Sequence, residues 1–581
     1  MNKILLTAVN AKYIHSNLAV YNLKAYANEY KDNIEIAEFT INQYTEDILI
    51  KIYEKQPQII AFSCYIWNIG IVKELITEIN KIMPDTKIWT GGPEVSYIAK
   101  EFLEEYPQVT GVMVGEGEMI FANLAKYYVD DLPGINDLSQ IKGIVYREAD
   151  RILATRAEEI LDLSTIPFIY DDLTVFENKI MYYESSRGCP FSCSYCLSSI
   201  DKKLRFKRLD IVQTELKYFL ENKVSQVKFV DRTFNCNRSH ALAIWKFIHE
   251  NDNGITNFHF EISADLLREE ELQLMKQMRP GLIQLEIGVQ STNLQTIKEI
   301  DRTMDLGKLS EVVHIVNQFG NIHQHLDLIA GLPYEDLKSF KQSFNDVYRM
   351  KPNQLQLGFL KILSGSKMYQ NANEYRIVYK NIPPYEVLYT KWISYDDIIL
   401  LKKIEEVVEI YYNSGQFRNT IKCLEREFST PFEMYEQLSI HYSSYILNNE
   451  KHSRITRYEI LLEFISKEVQ DKYEIFKNLL VLDVYLRDNI KTRPAFARSL
   501  SPYSESIRQI YMIEEENRKL LPDYLEYNHK QLGKMTHIEV FSKDILAFIN
   551  QGKLVDRDTY VLFDYKNRNP LNHEARTKVL V

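Results

Sequence analysis

The first part of the chain alternates short apolar runs with stretches of helical period. The apolar runs begin at Lys3 (KILLTAV), Ile34 (IEIAEFTI), Ile59 (IIAFSCY), Lys87 (KIWTGG) and Gly111 (GVMVGE), with helical patterns such as 18–30 and 69–81 between them. A strand that is apolar at every position is covered on both faces, and an intervening helix supplies the crossover that parallel pairing needs. Residues 1–135 are therefore predicted to form an α/β domain of the doubly wound, flavodoxin-like (Rossmann-like) kind. Ligands of such sheets bind beyond the carboxyl ends of the strands. Those ends carry Ser63 after the third strand, Gly91, Gly92, Pro93 and Glu94 after the fourth, and Gly115, Glu116 and Gly117 after the fifth. The glycines let backbone approach a large flat ligand. No GxGxxG follows the first strand, which disfavours a dinucleotide.

Residues 136–178 read as a connector that follows Pro133-Gly134 and holds a candidate hairpin at 143–154. A second alternation follows, with strands beginning at Met181, Ser225, Asn257, Leu282, His323 and Gln354. Helical patterns at 210–222, 239–250, 266–278, 306–318 and 336–350 separate them. Over 179–369 this predicts a partial (β/α)6, TIM-like barrel whose chemistry sits at the strand C-termini. Residues 370–581 read as a mostly α-helical domain, with helices at 396–414, 431–448 and 457–468 and two strands near Thr536 and Thr559.

Six cysteines in 581 residues are too few for a disulfide scaffold, but Cys189, Cys193 and Cys196 fall within eight positions as Cys-x3-Cys-x2-Cys. Free clustered thiols without a secretion signal point to the cytoplasm. The uncharged stretch 56–72 reads as a buried strand entering a helix, so no membrane partner is expected. A net charge of −10 does not favour nucleic acid, although the basic run at 201–208 leaves that alternative open. Soft thiolates bind zinc or iron–sulfur clusters. Structural zinc takes four ligands, and no fourth Cys or His lies nearby, the next being His240. Three thiolates on a cubane would leave one iron open to substrate.

This spacing, with an aromatic residue (Tyr195) before the last cysteine and a barrel strand before the loop, resembles the radical S-adenosylmethionine (SAM) superfamily. The resemblance implies that Cys189, Cys193 and Cys196 hold a [4Fe-4S] cluster whose open iron chelates SAM. It places Asp231 where many members carry a Gly-Gly-Glu turn for the methionine amine, which is a departure from that pattern. It places Glu261 and Ser263 near the ribose or substrate, and Glu286 and Gln290 at the end of the fourth strand. It sets Arg302 on the SAM carboxylate, and Asp327 and Gly331 beside the adenine. Together with the N-terminal domain and its GGP and GEGE turns, the chain resembles the branch that binds cobalamin (vitamin B12). The tail of cobalamin is then expected near Ser63 and Gly91–Gly92. His15 does not fit the Asp-x-His-x-x-Gly frame that supplies a cobalt ligand elsewhere, so a loop-stabilising role is expected for it. With only Cys64 in the N-terminal domain, a second cluster is not expected.

The resemblance implies reductive cleavage of SAM to a 5′-deoxyadenosyl radical, with methyl transfer to an unactivated carbon as the first reading. The substrate, a small molecule or peptide, is left open, and the electron donor is expected to be a flavodoxin or ferredoxin. The alternatives are a non-methylating catalyst, such as a cyclase or ring-contraction enzyme, and a cobalamin/iron–sulfur sensor.

Overall fold

The structure, a computed structural model, describes residues 3–130, 137–445 and 453–580. The Pro133-Gly134 turn, the boundary at 135–136 and the end of the 431–448 helix fall outside the described residues. Two compact units are present, one comprising Met1–Phe319, Ile329–Asp336 and Gly358–Ser394, the other Gly320–Leu328, Leu337–Leu357 and Tyr395–Val581.

In the first unit, β1 (Ile4–Asn10), β2 (Ile34–Thr40), β3 (Ile59–Ser63), β4 (Lys87–Gly91) and β5 (Val109–Met113) pair in parallel in the order 2-1-3-4-5. Every residue of β1 is buried, as a central strand covered on both faces must be. Helices Thr45–Lys55, Ile69–Ile82 and Ala99–Glu105 cover one face through Ile48, Ile52, Val72 and Ile76. Helices Leu18–Tyr26 and Gly117–Val129 cover the other through Val20, Ile120 and Leu124. Each such buried aliphatic side chain contributes about 1.5–3 kcal/mol relative to exposure. The hairpin expected in the connector forms as β6 (Ile144–Glu148) and β7 (Arg151–Ala154). It extends this sheet to seven strands by antiparallel pairing with β5.

The second alternation begins with β8 (Met181–Tyr183), followed by β9 (Ser186–Arg187) and β10 (Arg205–Phe206), which pair antiparallel across the cysteine loop. Next come β11 (Gln226–Phe229), β12 (Asn257–Ile262) and β13 (Ile283–Gln290); β8, β11, β12 and β13 pair in parallel in chain order. Burial alternates along β13: Ile283, Leu285, Ile287 and Val289 are buried, while Gln284, Glu286, Gly288 and Gln290 are partly open. An apolar outer face under helices and a polar inner face are what a barrel cleft requires. The last two expected strands form as β14 (His323–Ala330) and β15 (Gln354–Phe359), with helices Leu306–Phe319 and Leu337–Arg349 preceding them in the chain.

The second unit is mostly helical, as expected. Helix Tyr395–Val408 continues through a π-turn at Glu409–Asn413, and helix Pro431–Ser443 follows later. Tyr473–Arg487 and Ser504–Asn517, two helices not anticipated, also belong to it. Thr536–Phe541 and Thr559–Asp564 pair as the two expected strands, and Arg576–Leu580 adds a third that its charged, exposed pattern had concealed. Among the described residues no helix is long and apolar enough to cross a membrane.

Candidate active site

Both large cavities of the first unit open at strand ends. One, of about 600 Å³, runs along the face of the first sheet. Leu6, Ala61, Ser63, Gly91 and Met113 form its floor, and Val20 and Leu23 its side. The predicted residues Ser63, Gly91, Gly92, Pro93, Gly115, Glu116 and Gly117 all line it. Gly92 has φ +109° and ψ 174°, a conformation that is essentially glycine's alone, and a Cβ there would lie 2.5 Å from the Cys64 carbonyl oxygen. The Cys64 amide in turn donates to Gly91 O at 2.7 Å, so the two loops clamp each other and hold the slot open. Asn17 Nδ2 donates to Ser63 Oγ at 3.2 Å. Glu94 does not line the cavity; it accepts from the Tyr385 hydroxyl at 3.0 Å.

The acidic residues of the fifth strand's turn are taken up by ion pairs. Arg187, two residues before Cys189, donates to Glu184 at 2.9 and 2.7 Å and to Glu118 at 2.7 Å, and stands 3.4 Å from Glu116. Arg205 bonds Glu116 at 2.5 Å and Asp201 at 2.8 Å. Burial raises the Glu116 carboxyl, but the hydrogen bond and charge of Arg205 and the charge of Arg187 outweigh it and hold the group below the usual carboxylate range. Glu116 thus ties the first domain to the cysteine loop, and Arg187 and Asp201 line the same cavity as the glycines.

A second seam lies on the other side. Ile180 N donates to Ile14 O at 2.8 Å, and His15 bridges Ile180 in parallel. His15 Nδ1 and the Tyr182 hydroxyl are 2.5 Å apart, and Lys179 pairs with Glu38 at 2.7 Å, both side chains largely buried. His15 thus contacts the first strand of the second alternation through its backbone and its ring.

In the cysteine loop, Cys189 and Cys193 are buried and Cys196 is partly so. Thr233 Oγ1 lies 3.7 Å from Cys189 Sγ, and Arg302 Nη1 lies 3.6 Å from Cys193 Sγ and 3.3 Å from the Tyr195 hydroxyl. The other Arg302 nitrogen donates to Gly288 O. Burial pushes the Cys193 thiol up while the Arg302 charge pulls it down. Gly288 is packed so closely that a Cβ would lie 2.4 Å from Gln290 Nε2 and 3.3 Å from Arg302 Nη2. Tyr195 and Arg302 therefore gather at Cys193, and Gln290 stands beside Gly288, which Arg302 also bonds.

Asp231 is placed differently from what the resemblance implied. It is 1% exposed, and its carboxylate accepts from Ser185 N at 3.0 Å, from Ser185 Oγ at 2.7 Å and from Ser186 Oγ. It fixes the strand that leads into the cysteine loop. Ser263 Oγ donates to Asp265 at 2.6 Å, and the Ser263 backbone N–H and C=O bond the Asn235 side-chain amide. Glu286 receives Lys228 at 3.2 Å and stands 3.0 Å from His259 Nε2, and Glu261 is its direct neighbour across β12–β13. Gly331 has φ +91° and packs against Val387. Asp327 lies in the second unit, 3.0 Å from His325 Nε2. Sequence reasoning missed Arg187, Arg205 and Tyr182, whose partners are distant in the chain, and also Tyr97, which lines the glycine-bounded cavity and whose ring packs on Gly365.

Comparison with known proteins agrees with this geometry. The B12 binding domain family matches residues 4–125 and the radical SAM superfamily residues 183–347, while a family described only as a protein of unknown function (DUF4080) matches 373–563. The chain is 25% identical over 317 residues to the cobalamin-dependent radical SAM methyltransferase TokK of Streptomyces tokunonensis, covering 50% of this chain and 45% of that one. It is 24% identical over 327 residues to an anaerobic magnesium-protoporphyrin IX monomethyl ester cyclase of Cereibacter sphaeroides, covering 52% of this chain and 51% of that one. The chain thus spans about half the length of these curated relatives. Among solved structures, the cobalamin-dependent SAM radical enzyme OxsB superposes with a TM-score of 0.56 at 17% identity, over 82% of this chain and 78% of that one. TsrM from Kitasatospora setae, with cobalamin and a [4Fe-4S] cluster bound, gives 0.54 at 15% identity, over 66% and 82%. These structural likenesses show a shared fold. The radical SAM domain implies SAM and a [4Fe-4S] cluster, and the B12 binding domain implies cobalamin. The residues present fit both: three free thiols share one loop beside a guanidinium, and a cavity bounded by the strand-end glycines opens along the first sheet. This chain carries, in order, a B12 binding domain, a radical SAM domain and a domain of the DUF4080 family.

Proposed function

We propose that the protein is a cobalamin-dependent radical SAM enzyme that transfers a methyl group to an unactivated carbon. When bound, the cluster and SAM supply a 5′-deoxyadenosyl radical for hydrogen abstraction, and cobalamin supplies the methyl group. One observation carries the reading: Arg187 and Asp201, which flank the cysteines, line the same cavity as the strand-end glycines of the B12 domain. Two reactive centres that must act on one carbon need this adjacency, because reaction depends on near-contact geometry.

The chain's own residues have separable tasks in this reading. Cys189, Cys193 and Cys196 ligate the cluster and leave one iron for SAM. Arg302, beside Cys193 and Tyr195, receives the SAM carboxylate, and Gln290 and Glu286 border the same barrel mouth. Glu261 and Ser263 lie toward the ribose or substrate, and Gly331 toward the adenine. Ser63, Gly91–Glu94 and Gly115–Gly117 shape the cobalamin slot. Arg187 and Arg205 hold the two domains in register through Glu116 and Glu118 and exclude water from the seam. A low-potential reductant such as a flavodoxin or ferredoxin supplies the electron, and an oxygen-labile cluster suits the cytoplasm.

The test uses anaerobically reconstituted protein. C189A, C193A and C196A are each expected to abolish iron loading and 5′-deoxyadenosine formation; a variant that still cleaves SAM reductively would overturn the reading. Methyl-labelled SAM separates methyl transfer from the alternative of cyclisation or ring contraction, in which no label enters the product. The cyclase relative keeps that alternative in view.

A further inference from the structure

The second large cavity of the first unit, about 580 Å³, lies where the loop after β1 faces the end of β8. Its wall includes His15, Tyr65, Tyr182, Glu184, Arg187 and Arg232. The two arginines differ. Arg187 is fully engaged by Glu184 and Glu118, with Glu116 beside it. Arg232 is exposed, and among the described residues its guanidinium has no carboxylate or hydrogen-bond partner. Its backbone is held on both sides, since Asp231 is buried against Ser185 and Ser186, and Thr233 is buried at 3.7 Å from Cys189. The side chain is therefore presented to the cavity one residue from a group that touches a cluster cysteine.

A guanidinium has five donors and no acceptor. It cannot receive the ammonium of SAM, which needs an acceptor at a strand end such as this. Its planar fork matches an oxyanion with two oxygens, and such bidentate contacts are among the stronger hydrogen bonds. Resting on the proposed function, we propose that the substrate of this site carries an oxyanion, a carboxylate or a phosphate, that Arg232 receives at the cavity mouth.

The test titrates malonate and inorganic phosphate, separately, into reconstituted holoprotein at low ionic strength by isothermal calorimetry, comparing wild type, R232Q and R232K. Wild type is expected to bind at least one anion saturably. R232Q should weaken that binding at least tenfold, about 1.4 kcal/mol. R232K, which keeps the charge but loses the fork, should fall between the two. Preference for malonate assigns a carboxylate substrate, and preference for phosphate a phosphorylated one. Equal affinity in wild type and R232Q, or no saturable binding to wild type, overturns the proposal. If R232Q does not fold, R232K decides, and affinity equal to wild type overturns the proposal. Iron and cobalamin content read in the same samples address the proposed function independently: wild type that binds neither overturns that function while the anion titration still reads Arg232.

Discussion

Replacing Gly92 by alanine tests whether the loop after β4 is held open by backbone geometry. At φ +109° and ψ 174° an alanine is strained by about 1–3 kcal/mol. The new Cβ would also lie 2.5 Å from Cys64 O and 3.2 Å from Cys64 N, both backbone atoms that a side-chain rotation cannot move. Overpacking of that kind costs a further 1–3 kcal/mol or so, giving about 2–6 kcal/mol in total. The strain falls on the bond from Cys64 N to Gly91 O at 2.7 Å, which joins the ends of β3 and β4. Hydrogen exchange followed by mass spectrometry on peptides spanning 59–67 reads that bond locally, which matters in a chain too large for a single unfolding transition. A loss of about 2 kcal/mol accelerates exchange roughly thirtyfold, and bound cobalamin should fall with it. Gly115 is the control: its φ is +96°, but a Cβ there meets nothing within 4 Å, so G115A carries strain without collision and should have the smaller effect. Exchange in G92A within threefold of wild type, with full cobalamin binding, would refute the argument that this glycine shapes the slot.

Other perturbations follow from buried charge. R187Q removes the partner of Glu184 and Glu118 together, and leaving such carboxylates unpaired should lower the stability of the first unit by about 3–5 kcal/mol, read from that unit's own transition in denaturant titration; R187K should not restore it, because the bidentate fork is lost. Asp483, buried in the second unit, accepts from Asn419 N at 3.1 Å and Thr420 N at 2.9 Å, yet burial pushes it up to about 6. The unfolded carboxyl loses its proton near 4, so the folded state holds the extra proton between about pH 4 and 6, and stability falls as pH rises through that window, by about 3 kcal/mol. D483N should flatten that slope in pH-dependent urea melts, and an unchanged slope would assign it to another group.

The first domain was legible because continuous apolar strands and strand-end glycines are local signals. Gly91, Gly92, Gly115 and Gly117 line one cavity because strand alternation places their turns at one sheet edge. The hairpin's membership of the sheet was not legible, since nothing in 144–154 says which edge it joins. Asp231 shows another limit. Its position after β11 suggested a ligand contact, but Ser185 and Ser186, more than forty residues earlier, claim the carboxylate. The roles of Arg187 and Arg205 were hidden for the same reason, because ion pairs between domains leave no periodic trace. The segment 576–580, with Arg576, Thr577 and Val579 exposed, carried too little apolar content to read as a strand.

The seam at Ile14, His15, Lys179, Ile180 and Tyr182 has a consequence for how the molecule can evolve. Backbone pairing, a side-chain hydrogen bond and a shielded ion pair stitch the first loop of one domain to the first strand of the other. A frame of this kind sets the spacing between the cavity of the first sheet and the cysteine loop at folding. A B12 domain transplanted from a relative would have to bring its half of the suture with it.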